Sequence, residues 1–176
     1  MCSKGIAIAS TRKGLPSTVH QLRDALAFHQ RVQTAFAAGL TGADADAAAE
    51  RTISLYRGRS GRVDLVIVPQ QAERSAVVVE VKNTDWDKLG TSRVRPNLRS
   101  HIRQLQHYLD PLIDGLDPRS ERPQSAGLLA GPWDSVSGLL LYPRRPREAT
   151  RAQLIEDLVS KQALDVIWYD EMDWAD

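Results

Sequence analysis

The segment Ala76-Val-Val-Val-Glu80-Val-Lys82 places an acid and a lysine at the end of a run of valines. Valine is β-branched and favours strands, and a continuous valine run is typical of a strand that is buried on both faces. Side chains alternate along a strand, so Val78, Glu80 and Lys82 share one face. The segment therefore predicts a buried strand on which a carboxylate and a lysine are neighbours.

A second apolar segment, Arg62-Val-Asp64-Leu-Val-Ile-Val68, comes before it and also contains a single carboxylate. A proline ends this segment, and the short polar stretch 70–75 leads into the next one. Two strands joined in this way predict an antiparallel hairpin. In such a hairpin Asp64 comes beside Glu80.

Two carboxylates side by side among apolar residues repel each other and lose hydration, unless a positive group joins them. Mg²⁺ suits this role because it binds carboxylate and carbonyl oxygens and retains several waters. A lysine two residues further on can orient or activate a metal-bound water and stabilise developing negative charge. These are the groups needed to hydrolyse a phosphodiester.

The sequence before the hairpin predicts helices. Apolar residues recur at helical spacing from Ser17 to a stop at Gly39, and the alanine-rich stretch Asp44–Arg51 predicts a second, short helix. Ile53–Tyr56 has strand-like residues, and Gly58–Gly61 is a turn. The predicted apolar face of the first helix consists of Val19, Leu22, Leu26, Val32 and Phe36.

The sequence after the hairpin predicts alternating helices and strands. Asn83–Pro96 reads as a polar loop, and residues 115–134 as a long connection rich in proline and glycine. The predicted elements are a helix with Leu98, Ile102, Leu105, Leu109 and Leu112 on one face, a strand Val136–Tyr142, a helix Thr150–Lys161 capped by Thr150, and a strand Leu164–Tyr169. This order predicts an α/β fold of the α+β type, with a mixed sheet flanked by helices. We expect residues 1–15 to be loosely structured and residues 16–176 to form a single domain.

The composition is that of one soluble globular domain. The chain has 176 residues, of which 42% are hydrophobic and 26% charged, with a net charge of +1. Its single cysteine, Cys2, excludes an internal disulfide and fits a reducing compartment. Since no segment has the pattern of a signal peptide or a membrane span, we expect a cytoplasmic protein.

Basic residues cluster in three places, around Arg57–Arg62, Lys88–Arg103 and Arg144–Arg151. A basic stretch is more often a solvated surface than a binding site. Three clusters around one candidate site nevertheless indicate contact with a polyanion. The predicted nucleic-acid contacts are Arg59, Arg62, Arg95, Arg99 and Arg103.

The two strand segments resemble the core motif of the PD-(D/E)XK, or restriction-endonuclease-like, nucleases. The resemblance covers about residues 50–110 and implies an α-β-β-β-α-β core. It implies metal binding by Asp64, Glu80 and the backbone carbonyl of Val81, and a catalytic role for Lys82. Gln104 and Tyr108 resemble the Gln-x-x-x-Tyr motif on the following helix of the RecB-like branch, which makes them supporting residues.

Many members of this family carry an additional acid on the helix before the first core strand. Glu50 is the preferred candidate here, and Asp24 is the alternative. Trp86 fits either stacking on a base or packing against the rim of the site. The four histidines lack the spacing of zinc ligands, so a zinc site is disfavoured.

The sequence thus favours a Mg²⁺- or Mn²⁺-dependent nuclease that acts on DNA rather than RNA. Its size suits a bacterial toxin domain, a defence enzyme or an accessory repair nuclease. A toxin would have an inhibitor of the immunity type as its partner. The alternative is a nucleic-acid or protein binding module on the same fold that does not cut. In the simplest structural alternative, Glu80 and Lys82 form an ordinary ion pair.

Overall fold

The computed structural model describes residues 16–39, 45–54, 60–69, 75–114 and 133–172. The predicted loose N-terminus, the first two residues of the predicted turn Gly58–Gly61 and residues 115–132 of the predicted long connection lie outside these ranges. The described elements are α1 (Pro16–Gly39), β1 (Ala45–Ser54), β2 (Ser60–Pro69), β3 (Ser75–Val81), α2 (Thr91–Asp114), β4 (Ser135–Tyr142), α3 (Ala149–Ser160) and β5 (Asp165–Trp168). Short 3₁₀ turns cover Trp86–Lys88 and Tyr169–Glu171.

The described strands form one mixed sheet in the order β1-β2-β3-β4-β5. β1, β2 and β3 are antiparallel neighbours, whereas β3, β4 and β5 run parallel. The pairing Leu65 to Val79 and Ile67 to Val77 confirms the predicted hairpin. The α+β architecture with a mixed sheet is therefore as predicted.

The two faces of the sheet are covered by different helices. On one face Phe28, Val32 and Phe36 of α1 form a buried cluster with residues of β2, β3 and β4. On the other face α2 and α3 cover a second cluster, which includes Val78, Leu140 and Tyr142. Because both faces are covered, β3 is buried from Val78 to Val81.

Gly138 allows α2 to lie close to the sheet. A Cβ atom at this position would come within 2.5 Å of Leu109 Cδ1 and 2.7 Å of Leu164 Cδ2. Both distances are too short for carbon atoms, so a larger residue would displace its neighbours. The glycine thus fixes how far α2 sits from β4.

The predicted short helix at Asp44–Arg51 is wrong, because residues 45–51 belong to β1. Its residues pair with β2 along the strand, from Ala45 opposite Pro69 to Ser54 opposite Ser60. Alanine has the highest helix propensity, but intrinsic propensity is a weak preference, and hydrogen bonding to a neighbouring strand outweighs it.

The predicted loop Asn83–Pro96 is too long, since α2 begins at Thr91. Buried Val94 is in phase with buried Leu98, so the apolar face extends back past Pro96. Pro96 removes only one backbone donor from the helix.

Two details of α1 and α3 also differ from prediction. Leu26 is 59% exposed, and Phe28 takes the buried position instead. Thr150 is not the N-cap of α3, because the helix begins at Ala149 after Glu148, and the Thr150 hydroxyl donates to the Glu148 carboxylate at 2.7 Å.

None of the helices in the described ranges is long and apolar enough to cross a membrane.

Candidate active site

The two acids predicted from the hairpin lie beside each other at the end of β3. Asp64 Oδ2 accepts a 2.8 Å hydrogen bond from the backbone N–H of Val81, the residue after Glu80. The negative charge of Asp64 also raises the pKa of Glu80. The acids are thus close enough to interact, as the sequence predicts.

Glu80 is a buried carboxylate, and only one of its two oxygens has a hydrogen-bond partner among the described residues. Its side chain is 2% exposed, and one oxygen, Oε1, lies 2.5 Å from Lys82 Nζ. The other oxygen, Oε2, has no hydrogen-bond partner among the described residues. Burial first, and Asp64 second, raise the pKa of Glu80 to about 7, although Lys82 opposes the shift. A buried carboxyl oxygen without a partner costs free energy, so the site favours a cation or proton at this point.

Lys82 joins the acidic pair to α2. Its Nζ donates 2.8 Å to Gln104 Oε1, and the Gln104 amide donates 3.2 Å to the Tyr108 hydroxyl. The structure therefore brings Gln104 to the lysine, and Tyr108 to Gln104. An ammonium group has three N–H donors, and these contacts with Glu80 and Gln104 use two of them.

The backbone carbonyl oxygen of Val81 is the third predicted metal ligand. In an extended strand the N–H and C=O of one residue point to the same edge, and the Val81 N–H points to Asp64. Its carbonyl is therefore directed towards the same side as the acidic pair.

These oxygens fit a hard divalent cation. Two carboxylates and one carbonyl are the ligands that Mg²⁺ prefers, and an octahedral ion would complete its shell with water. Glu80 Oε2 is already buried and without a partner among the described residues. The described ranges hold no cluster of three or more His, Cys, Asp or Glu side chains arranged for a metal. A bound ion would thus depend on backbone and water oxygens in addition to the two acids.

Glu50, the preferred additional acid, lies in β1. Ala49 pairs with Leu65 and Arg51 with Val63, which leaves Glu50 level with Asp64. Its side chain lies outside the described part of the structure. Asp24, the alternative, is exposed on α1 and lines a cavity described below.

α1 contributes two residues that the sequence reasoning missed. His29 Nδ1 lies 3.6 Å from Asp64 Oδ1, and the Gln33 amide donates 3.4 Å to the Asp64 carbonyl. Both are half-buried. Their spacing of four residues places them on one stripe of the helix, which was the available signal. The stripe alone does not identify them, because their partner, Asp64, lies on a strand that is distant in sequence.

A buried aromatic cluster lies behind the lysine. The rings of Trp86 and Tyr142 are 5.1 Å apart, and His101 Nδ1 is 2.9 Å from the Tyr142 hydroxyl. Burial, and secondarily the charge of Lys82, lower the pKa of His101 to about 4, so this histidine is neutral at pH 7. Trp86 is only 1% exposed, which rules out base stacking in this conformation and supports packing.

The predicted arginine contacts are not all near the acids. Arg62, Arg95, Arg99 and Arg103 are exposed, and Arg59 lies outside the described residues. Arg99 and Arg103 line a groove that α2 forms with Leu158 and Gln162. Gln104 and Tyr108 lie on the opposite flank of α2. Arg99 and Arg103 are therefore separated from the acidic pair by the width of the helix.

The third basic cluster is engaged within the protein. Arg144 pairs with Asp85 at 2.7 Å, and Arg145 pairs with Glu156 at 2.8 Å. Arg151 donates to the carbonyls of Trp86 and Leu89. Arg144 and Arg151 thus hold the loop after β3, whereas Arg145 joins α3 to the acidic turn Tyr169–Glu171. Most of this cluster is structural, which the sequence reasoning did not anticipate.

The sequence matches no protein-family model, and comparison with the curated proteins found no match.

Proposed function

We propose that this chain is a divalent-metal-dependent nuclease that hydrolyses phosphodiester bonds, with DNA favoured over RNA. One observation carries the proposal. Lys82 Nζ lies between the buried carboxylate of Glu80 and the amide of Gln104, and the Asp64 carboxylate accepts from the backbone N–H of Val81, the residue between Glu80 and Lys82. The two acids and the lysine are therefore close together, and each of them lies in a strand or directly after one.

Each residue has a distinct task in this proposal. Asp64, Glu80 and the carbonyl of Val81 would hold Mg²⁺ or Mn²⁺. When bound, the metal supplies Lewis-acid activation of water and neutralises phosphate charge. Lys82 keeps one N–H donor beyond its contacts with Glu80 and Gln104, and this donor would orient the attacking water or the phosphoryl oxygen that gains charge.

Gln104 and Tyr108 act through the lysine. The Gln104 carbonyl oxygen accepts from Nζ, and its amide nitrogen is occupied by Tyr108, so the amide has one preferred orientation. A lysine has many rotamers, and fixing it beside the acids reduces the entropy lost when the substrate arrives.

The biological setting belongs to the same proposal. We infer that the protein works in the cytoplasm, as a bacterial toxin, a defence nuclease or a repair enzyme. The toxin setting predicts growth arrest on expression of the native chain but not of Glu80→Gln, with rescue by an inhibitor protein encoded alongside it.

The test is an incubation of the purified protein with plasmid, linear duplex DNA, single-stranded DNA and RNA. Each substrate is supplied with Mg²⁺, Mn²⁺ or EDTA. We expect cutting of DNA with either metal and none in EDTA. Glu80→Gln, purified in the same way, controls for contaminating nucleases. Activity that survives in EDTA would contradict the mechanism, and binding without cutting would favour a non-catalytic binding module.

A further inference from the structure

A cavity of about 560 Å³, lined mainly by polar and charged residues, opens at the carboxyl ends of the parallel strands β3 and β4. Pockets that hold small ligands measure about 300–1,000 Å³. α1 contributes Asp24 and Ala25 to its wall, and the loop after β3 contributes Asn83, Asp85 and Lys88. Pro143 and Arg144, which follow β4, complete the wall. In open α/β sheets, this end of the strands is the usual place for a ligand.

The cavity adjoins the acidic pair in two ways. Asn83 directly follows Lys82 in the chain. On α1, Ala25, His29 and Gln33 are four residues apart and therefore share one stripe, which runs from the cavity to Asp64. One helical turn, about 6 Å, separates Ala25 from His29. A group joined to a phosphate at the acidic pair could therefore reach into the cavity.

Asp85 fixes two cations at the wall of this cavity. Its Oδ2 lies 2.7 Å from Arg144 and 3.2 Å from Lys88, and Oδ1 accepts from the backbone of Asp87. Hydrogen bonding to Arg144 lowers the pKa of Asp85, so the carboxylate stays charged at neutral pH. A guanidinium has five N–H donors and an ammonium three, which exceeds the contacts to Asp85. Both cations can thus bind a phosphate oxygen without leaving Asp85.

The rest of the wall suits the polar edge of a base. Asn83 offers an amide with both donors and an acceptor, and Asp24 offers an acceptor. The acids and bases that line the cavity are equal in number, so it does not attract anions by net charge alone. Its polarity matches a nucleoside with one attached phosphate. The groove beside Arg99 and Arg103 differs, because Leu98, Ile102 and Leu158 give it an apolar wall.

We propose that this cavity binds the nucleotide next to the scissile phosphodiester, with the phosphate on Lys88 and Arg144 and the base towards Asp24 and Asn83. The proposal rests on the proposed nuclease function and adds a substrate subsite to it. Lys88 and Arg144 are binding residues here, because they touch the neighbouring nucleotide rather than the reacting atoms.

Binding of a deoxynucleoside 5′-monophosphate, followed by amide NMR shifts in EDTA, tests the subsite without any cleavage. We expect saturable shifts at Asn83, Asp85, Lys88 and Arg144. Lys88→Ala should weaken this binding at least about threefold, as expected for one exposed phosphate contact. Lys88 is 82% exposed, so the variant should fold normally. Lys161→Ala is the matched control, because Lys161 is an exposed lysine at the end of α3.

A second measurement uses cleavage by the complete protein. Lys88→Ala should raise KM several-fold and leave kcat nearly unchanged, because the contact is equally strong in the ground state and the transition state. Shifts confined to the Arg99 and Arg103 groove, or no saturable shifts, would overturn the subsite. Equal affinity of Lys88→Ala and Lys161→Ala would do the same. If the native protein binds the nucleotide in the cavity yet cuts nothing, the nuclease proposal fails while the binding site stands.

Discussion

The backbone N–H of Val81 donates a 2.8 Å hydrogen bond to Asp64 Oδ2, across the strands that carry the two acids. A side-chain oxygen of β2 therefore takes the place that a backbone carbonyl would occupy in a regular ladder. The bond fixes the Asp64 carboxylate beside the edge of β3 to which the Val81 carbonyl also points. The proposed metal ligands are thus set by strand pairing, which is more rigid than a loop.

Substitutions in the acidic pair should separate metal binding from the role of the lysine. Asp64→Ala and Glu80→Ala should each abolish cleavage and weaken Mg²⁺ binding, because each removes a ligand. Lys82→Ala should lower the cleavage rate at least about 100-fold yet leave Mg²⁺ affinity nearly unchanged. Calorimetric metal titration and initial cleavage rates measure the two effects.

Asp110→Ala is the control for these substitutions, since Asp110 is an exposed acid on α2. It should match the native protein in both assays. Cleavage at the native rate by Glu80→Ala would show that the site is misassigned. Loss of the fold in Glu80→Ala, with Glu80→Gln folded and active, would make the Glu80–Lys82 pair structural.

The stability of the metal-free protein should fall as the pH rises from about 4.5 to about 7 through the titration of Glu80. Its pKa is raised in the folded state, so the folded chain binds more protons than the unfolded chain in this window. The stabilisation is complete below the pKa that Glu80 has in the unfolded chain, and it is lost as the pH rises through the pKa that Glu80 has in the folded chain. The size is on the order of 3 kcal/mol.

Thermal melting in EDTA across this pH range measures the effect, with Glu80→Gln as the comparison. Glutamine does not titrate, so the variant should lose less stability than the native protein as the pH rises. Added Mg²⁺ should reduce the loss in the native protein, because it stabilises the ionised carboxylate. Parallel pH profiles for the two proteins would mean that Glu80 ionises normally.

His29 should contribute to activity although it lies outside the hairpin. Its ring nitrogen is 3.6 Å from Asp64 Oδ1 and can orient that carboxylate or join the metal shell. His29→Ala should lower metal affinity or cleavage by about 10–100-fold, as is typical of residues that orient ligands. His107→Ala, an exposed histidine on α2, is the control. Unchanged activity and affinity in His29→Ala would assign the contact to packing alone.

The arginines of α2 should affect duplex DNA more than a short single strand. Arg99 and Arg103 lie across the helix from Gln104, so only a wide substrate can contact both flanks. Replacing Arg95, Arg99 and Arg103 by Ala should reduce the salt slope of duplex binding by about 0.9 for each phosphate that an arginine no longer neutralises. The measurement is affinity against salt concentration for both substrates. If the salt dependence of duplex binding is the same in the variant and the native protein, these arginines are only a solvated surface.

Gly138→Ala should destabilise the protein by about 1–3 kcal/mol, because the added Cβ would overlap Leu109 and Leu164. Moving α2 outward would also lengthen the Lys82–Gln104 hydrogen bond, so cleavage should fall. Denaturant unfolding and cleavage rate measure these effects. Ser137→Ala, on the neighbouring exposed residue of β4, is the control. A variant as stable as the native protein would show that α2 can shift freely.

The hairpin could be predicted because its signals are local. The valine run of β3, the single acid in each strand and the short connection all lie within about 20 residues, and β-branched residues rarely form a helix when alternation also fits a strand. The helical spacing from Leu98 to Leu112 placed Gln104 and Tyr108 on one flank for the same reason. Both predictions needed no knowledge of distant contacts.

β1 and the α1 contacts could not be predicted in this way. The alanines of β1 have helical propensity, and only pairing with β2 makes them a strand. His29 depends on how α1 lies across the sheet, which is decided by burial of Phe28, Val32 and Phe36. The partners of Arg144, Arg145 and Arg151 could not be predicted either, because two of these arginines bind residues that are far away in the sequence and the third binds a residue on α3.

The packing of α2 on β4 has a consequence for synthesis on the ribosome. The helix that holds Lys82 is fixed to the sheet through Gly138 and through the bond from His101 to Tyr142, and both partners are in β4. β4 leaves the ribosome well after the hairpin and α2, since residues 115–132 intervene. A nascent chain can therefore pair its two acids before its lysine has a fixed place. Under the nuclease proposal, cutting would begin only once β4, up to Tyr142, has left the ribosome.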